Sequence, residues 1–156
     1  MQSERDSVDV FFGDGKGGFS RAPESPITAG PSREFFTRAL HLLDANGDRR
    51  LDIVTANGRE NSFGVLFGDG RGRFSPGPIV RREAGPRSRY TFAFADVTGD
   101  GHVDAVVAAR EDDAGQPGRI VVLRGNGRGE FQEAGPSFEV APIPHDITLA
   151  RRGIQL

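Results

Sequence analysis

Asp44–Asn57 reads DANGDRRLDIVTAN and Asp96–Ala109 reads DVTGDGHVDAVVAA, the second starting 52 residues after the first. Each begins with a short Gly-bearing stretch of Asp, Asn or Thr at alternate positions and runs into a series of Ile, Val, Thr and Ala. A period of two followed by β-branched residues is a turn feeding a strand. A second motif accompanies the first: GVLFGDGRGRF from Gly64 and IVVLRGNGRGEF from Ile120. A further copy, VFFGDGKGGFS from Val10, stands ahead of both acidic stretches. Its Phe recurs at Phe19, Phe74 and Phe131, spacings of 55 and 57 residues. The chain is therefore a repeat protein, and its unit is the supersecondary motif rather than the whole chain. Five extra residues in the later copy fall in AREDDAGQPG, Ala109–Gly118, opposite the shorter NGRENS stretch of the earlier one.

Each unit reads as four short strands. Ala39–Leu43 and Tyr90–Ala95 lead into the acidic loops, and Leu51–Ala56 and Val103–Ala109 leave them. Gly64–Phe67 and Arg119–Arg124 then run into the Gly turns, and strands beginning at Phe74 and Phe131 follow. The Gly-Asp-Gly and Gly-Asn-Gly turns supply the positive φ angles of tight hairpins. Four-stranded units in series predict an all-β protein of β-propeller blades, two complete and two partial. The divisions fall at 7–23 (strands three and four only), 24–80 with loop 44–52, 81–141 with loop 96–104, and 142–156, whose single strand lies near 147–151. That count of eleven strands predicts an incomplete ring, or one closed by oligomerisation.

In the first loop Asp44, Asn46, Asp48 and Asp52 occupy positions 1, 3, 5 and 9, and in the second these are Asp96, Thr98, Asp100 and Asp104. Oxygen-bearing side chains at alternate positions of a tight loop can converge, and three carboxylates so placed repel unless a cation neutralises them. A hard cation with six to eight oxygen ligands in flexible geometry fits, which points to Ca²⁺, two ions in all. Position 7, Arg50 or His102, would contribute only its backbone carbonyl. An EF-hand is excluded, because position 12 is Thr55 or Val107 rather than Glu and the flanks read as strands. The competing reading is a metal-free Asx turn, in which Asp and Asn cap backbone groups. Thr98, a hydroxyl where the first loop has an amide, makes the second site the weaker one.

The pairing of DANGDRRLDIVTAN with GVLFGDGRGRF, and of DVTGDGHVDAVVAA with IVVLRGNGRGEF, resembles the FG-GAP/VCBS repeats, the calcium-loop blades of integrin α-subunit-like propellers and of many bacterial secreted proteins. The likeness runs from about Val8 to Ile147. It implies a seven- or eight-bladed propeller in the complete parent, Ca²⁺ on loop positions 1, 3, 5 and 9, and an extracellular or cell-surface location. Roles in adhesion, ligand binding or sugar recognition follow from the same resemblance.

Composition agrees with a turn-rich β protein. Of 156 residues, 22 are Gly and 10 are Pro, too many breakers for a helical bundle. Twenty Lys and Arg against 22 Asp and Glu give a net charge of −2, which offers no electrostatic case for nucleic acid. No apolar run reaches the length of a membrane span. With no Cys, thiolate metal sites and cysteine nucleophiles are excluded. GDGKGG, Gly13–Gly18, fits G-x-G-x-x-G, but FSRAPESP after it cannot open the helix a dinucleotide site needs, so a hairpin turn is the better reading. His41 reads as a packed or edge residue, the His102 ring is expected to face solvent, and His145 follows Pro144. Phe35, Phe36, Phe92 and Phe94 read as core. No nucleophile–base pattern stands out, so a non-catalytic binding module for a protein or glycan is expected. Its loops Asn57–Ser62 and Ala109–Gly118 would offer the recognition surface. The alternatives are an assembly module with architectural calcium, as a propeller fragment or a strand-sharing homo-oligomer, and a lectin-like propeller.

Overall fold

The computed structural model describes residues 7–28, 37–57, 62–82, 89–110 and 117–140, with Ile147 and Leu149. Every regular element among them is a strand. The first unit contributes β1 (Ser7–Val8), β2 (Phe11–Gly13), β3 (Phe19–Arg21) and β4 (Ile27–Thr28), with β1 paired to β4 and β2 to β3. Next come β5 (Thr37–Leu43), β6 (Asp52–Asn57), β7 (Ser62–Gly68) and β8 (Phe74–Arg81), an antiparallel sheet in chain order. The third unit holds β9 (Arg89–Ala95), β10 (Asp104–Arg110), β11 (Gly118–Gly125), β12 (Phe131–Glu133) and β13 (Phe138–Val140), of which β12 and β13 both pair with β11.

The sequence pattern explains which strands are central. On β6, Ile53 packs with Leu66 and with Val8 and Ile27 of the first unit. Val54 and Ala56, pointing the other way, join Phe63 and Val65 against Ala105, Val107, Val121 and Leu123 of the third unit. The middle sheet is thus covered on both faces, which is why its second strand reads Ile-Val-Thr-Ala without polar alternation. Phe63 reaches furthest into the neighbour. Its ring meets Phe92, Phe94 and Phe131 edge-on at centroid separations of 5.4, 5.4 and 5.1 Å. Each such pair adds about 0.5–1.5 kcal/mol beyond burial. Phe92 and Phe94 are core residues as expected, whereas Phe35 and Phe36 lie outside the described residues.

The second unit has the four strands read from the sequence and the third has five, and the described residues hold thirteen strands where eleven were expected. In the first unit the hairpin is interrupted where Val10 turns to Ser25. The Val10 N–H donates to the Ser25 hydroxyl oxygen at 2.9 Å and the Val10 carbonyl accepts from Ala22 N–H at 2.9 Å. In the third unit the last strand breaks at Gly135, whose φ of 81° cannot continue a ladder. The strand expected near 147–151 falls mostly outside the described residues, and Ile147 and Leu149 are not in a strand. GDGKGG is the turn of the β2–β3 hairpin.

Candidate metal centre

Both acidic loops are built by one device. Asp44 Oδ1 accepts from the N–H groups of Gly47 and Asp48 at 2.7 and 3.1 Å, and its Oδ2 from that of Arg49 at 2.7 Å. Asp96 repeats the set on Gly99, Asp100 and Gly101 at 2.7, 3.2 and 2.9 Å. One carboxylate at position 1 therefore gathers three successive N–H groups, and the chain curls round it. The curl needs a left-handed residue at positions 4 and 6. Gly47, Gly99 and Gly101 supply three of these at φ 78°, 78° and 84°, and Arg49 takes the fourth at 65°. Position 5 tightens the next step: Asp48 accepts from Arg50 N–H and Asp100 from His102 N–H, both at 2.8 Å.

Position 9 joins each loop to its own Gly turn. Asp52 and Asp104 are both 0% exposed. Asp52 Oδ2 accepts from Ala45 N–H and Oδ1 from Gly68 N–H, both at 2.9 Å. Asp104 Oδ2 accepts from Val97 and Thr98 N–H at 2.9 Å and Oδ1 from Gly125 N–H at 3.0 Å. The Asp at the head of the strand leaving the acidic loop thus ties that loop to the end of the strand entering the hairpin. This explains in structural terms why the two motifs travel together. Burial pushes the Asp52 carboxyl above the ordinary carboxylate range, the N–H groups of Gly68 and Ala45 pull it back, and the charges of Asp48 and Asp44 raise it again.

The remaining positions differ. The Asn46 amide oxygen accepts from Asp48 N–H at 3.0 Å and its Nδ2 donates to Asp48 Oδ2 at 3.3 Å. Asp100 Oδ2 instead accepts from Arg124 Nε at 2.7 Å. That guanidinium, with the His102 N–H, holds the Asp100 carboxyl below the ordinary range. The side chains at position 7 reach over the Gly turns, and the Arg50 guanidinium also stands 3.9 Å from Asp48 Oδ2. Arg50 lies over Gly70, and the exposed His102 ring covers Gly127, where an added Cβ would stand 2.6 Å from its Cε1. His41 packs edge-on against Phe94 at 5.0 Å, so the packed, edge-strand reading is the observed one. His145 is outside the described residues, as are 58–61 and 111–116 of the two loops expected to serve recognition.

Arg124 was not legible as part of the second loop. Its signal is positional: it stands where the first two Gly motifs carry Phe12 and Phe67. A second unforeseen contact joins neighbours, for the Ala45 carbonyl accepts from Gly129 N–H at 3.1 Å.

The donor types suit a hard cation: three carboxylates per loop, joined by an amide oxygen at Asn46 or a hydroxyl at Thr98. Among the described residues no group of three or more Asp, Glu or His side chains converges as a metal cluster. The carboxylates are turned onto N–H groups, as the Asx-turn reading requires. An ionised carboxylate has about four acceptor positions, so Asp44 keeps one free and Asp52 two. The two readings are compatible: backbone N–H groups shape the loop and leave oxygen lone pairs available.

The model of the FG-GAP-like repeat family matches residues 44–107, from the first Asp of one acidic loop to the strand leaving the other. No curated protein and no solved structure matches the chain. Residues 44–107 are thus similar to an FG-GAP-like repeat, in line with the resemblance carried by the acidic loops and Gly turns.

Proposed function

We propose that the chain is a non-catalytic, calcium-stabilised set of propeller blades that binds a protein or glycan ligand at an extracellular or cell-surface location. The observation that carries the calcium reading is the repetition of one loop geometry around the same oxygen-donor pattern. Ca²⁺ would be held by Asp44, Asn46, Asp48, Asp52 and the Arg50 carbonyl, and by Asp96, Thr98, Asp100, Asp104 and the His102 carbonyl. The ion would supply the positive charge that three carboxylates in one loop lack, and so fix the hairpin between the first two strands of each unit. The extracellular location, adhesive role and ligand class rest on the family likeness.

Thermal unfolding in Ca²⁺, in Mg²⁺ and in chelator tests the metal. A ligand at one hundred times its Kd stabilises by about 2.7 kcal/mol. For a chain of this size that is roughly 5–11 °C in Tm. Asp44→Asn with Asp48→Asn should remove the response of the first loop. Equal melting in calcium and in chelator would overturn the calcium assignment.

A further inference from the structure

The contact between the second and third units is aromatic and aliphatic, with one ionisable ring set into it. His41 stands in the middle of β5, opposite Val54 of β6, on the face it shares with Ala39 and Leu43. Its ring packs on Phe94 of β9 at a centroid separation of 5.0 Å and an angle of 64°. Phe94 in turn meets Phe63 and Phe131. The His41 Nε2 is closed off from water, and among the described residues no group hydrogen-bonds to it. A neutral imidazole tolerates that position, because its one proton can sit on Nδ1. An imidazolium carries N–H on both nitrogens, and its Nε2–H would point a charge into hydrocarbon with neither acceptor nor water.

Among the described residues no carboxylate answers that charge. The titratable groups that the packed strands turn toward this contact are Asp52 of β6, Tyr90 of β9, Arg119 of β11, Glu133 of β12 and Arg82 just past β8. Asp52 turns both oxygens to the N–H groups of Ala45 and Gly68. Arg82 and Glu133 pair with each other, Nη1 to Oε2 at 3.2 Å, by the strands furthest from β5 and β9. Arg119 is exposed, across β10 from Tyr90. Burial alone lowers the His41 pKa from its ordinary value of 6.5. An opened or unfolded chain therefore takes up the proton first. The contact is undisturbed above that ordinary value and weakens as pH falls below it.

We infer that His41 makes the joint between the second and third units acid-sensitive: a proton taken up at Nε2 drives the ring out of the Phe94 contact and loosens one sheet from the other. The two sheets share no strand pairing, so the joint can loosen without unzipping either ladder. The contact is held at neutral pH and released in mildly acidic surroundings. The device is built from side chains of two adjacent units and involves neither the acidic loops nor Ca²⁺.

Tyr90 reports on the joint. It is the chain's single Tyr, no Trp is present, and its ring lies 6.4 Å from that of Phe92 in the same contact. Urea unfolding in chelator, followed by Tyr90 emission and by far-ultraviolet dichroism, should give coincident transitions at about pH 7.5. At about pH 5 the Tyr90 transition should move to lower urea than the dichroism. His41→Phe and His41→Leu put an apolar side chain in the same place and should keep the two transitions coincident at both pH values. Relative to either variant, the wild-type joint should open more readily by up to about tenfold for each pH unit below the ordinary imidazole value. Groups titrating elsewhere act alike in all three chains and drop out of that difference. Wild-type transitions that stay coincident at both pH values overturn the inference, as does a wild type that loses stability in parallel with the variants. If neither variant folds, proton resonance of the wild type decides, with the His41 ring identified by its proximity to the Phe94 ring protons. Titration below 6.5 supports the joint. Titration at or above that value means that the aromatic face holds the cation, and overturns it.

Discussion

The two acidic loops share a backbone and differ in what lies against them. The first is backed by the third unit. Ala45 is 3% exposed, its carbonyl accepts from Gly129 N–H, and a Cβ on Gly47 would meet the Gly127 carbonyl at 3.7 Å. At the second loop Val97 is 43% exposed, and nothing among the described residues stands near a Cβ on Gly99 or Gly101. Repeat sequence sets the curl of a loop, through one carboxylate and three N–H groups. The next unit sets how much of that loop is withdrawn from water. Two sites of the same residue pattern should therefore differ in stability and in cation affinity.

The largest expected contrast is at position 9. Asp52→Ala strands two buried N–H groups, those of Ala45 and Gly68. Each such loss costs about 1–3 kcal/mol. Asp104→Ala frees three, but those of Val97 and Thr98 are only part-buried and can turn to water, leaving Gly125 N–H as the buried one. Asp52→Ala should accordingly lower stability about twice as far, near 4 kcal/mol or roughly 10 °C in Tm. Denaturant unfolding of the two variants, without calcium, measures it. An equal or reversed order would show that the third unit does not protect the first loop.

A smaller effect is expected at Arg124. Its guanidinium occupies Oδ2 of Asp100 at 2.7 Å, where Oδ2 of Asp48 in the first loop meets the Asn46 amide at 3.3 Å and the Arg50 guanidinium at 3.9 Å. Arg124→Gln should raise calcium affinity at the second loop roughly fivefold, on the order of 1 kcal/mol of charge repulsion removed. Titration calorimetry on the two loops reads this, and unchanged affinity would separate Arg124 from the site. The same change alters pH dependence. The Asp100 carboxyl is held below the ordinary range by Arg124, so that pairing stabilises the fold above the unfolded-state pKa and is lost as pH falls through the folded one. Wild type should therefore lose slightly more stability than Arg124→Gln between pH 5 and about 2, and by little, since the pair is exposed.

Much of this was legible from local pattern. The strands β5 to β7, the hairpins and the left-handed glycines follow from period-two runs between Gly turns, which are short-range features. Asp52 and Asp104 stood out at position 9 as cation ligands, but their ties to Gly68 and Gly125 span 16 and 21 residues, and no single loop displays them. Arg124 was hidden for a similar reason: it belongs to the loop only because the hairpin returns beside it. The break at Gly135 was not legible, because β8 carries a Gly-Pro pair of its own at Gly77–Pro78 and continues through it. Phe63 lay just ahead of the strand read at Gly64–Phe67, and its place among three rings of the next unit depends on how sheets stack.

The smallest contrast is at position 6, where the first loop has Arg49 at φ 65° and the second has Gly101 at 84°. A side chain in the left-handed region costs about 1–2 kcal/mol. Glycine removes that cost but returns roughly 0.5–1 kcal/mol to the unfolded chain as entropy. Arg49→Gly should then stabilise by about 0.5 kcal/mol, and Gly101→Ala should destabilise by about 1 kcal/mol. Neither should alter calcium binding, because in both loops position 6 gives only its N–H to the position 1 carboxylate, which the backbone supplies whatever the side chain. Melting curves with and without calcium separate the two effects. If Arg49→Gly is destabilising, the guanidinium holds the first loop by a contact of its own, and the two loops differ in more than their neighbours.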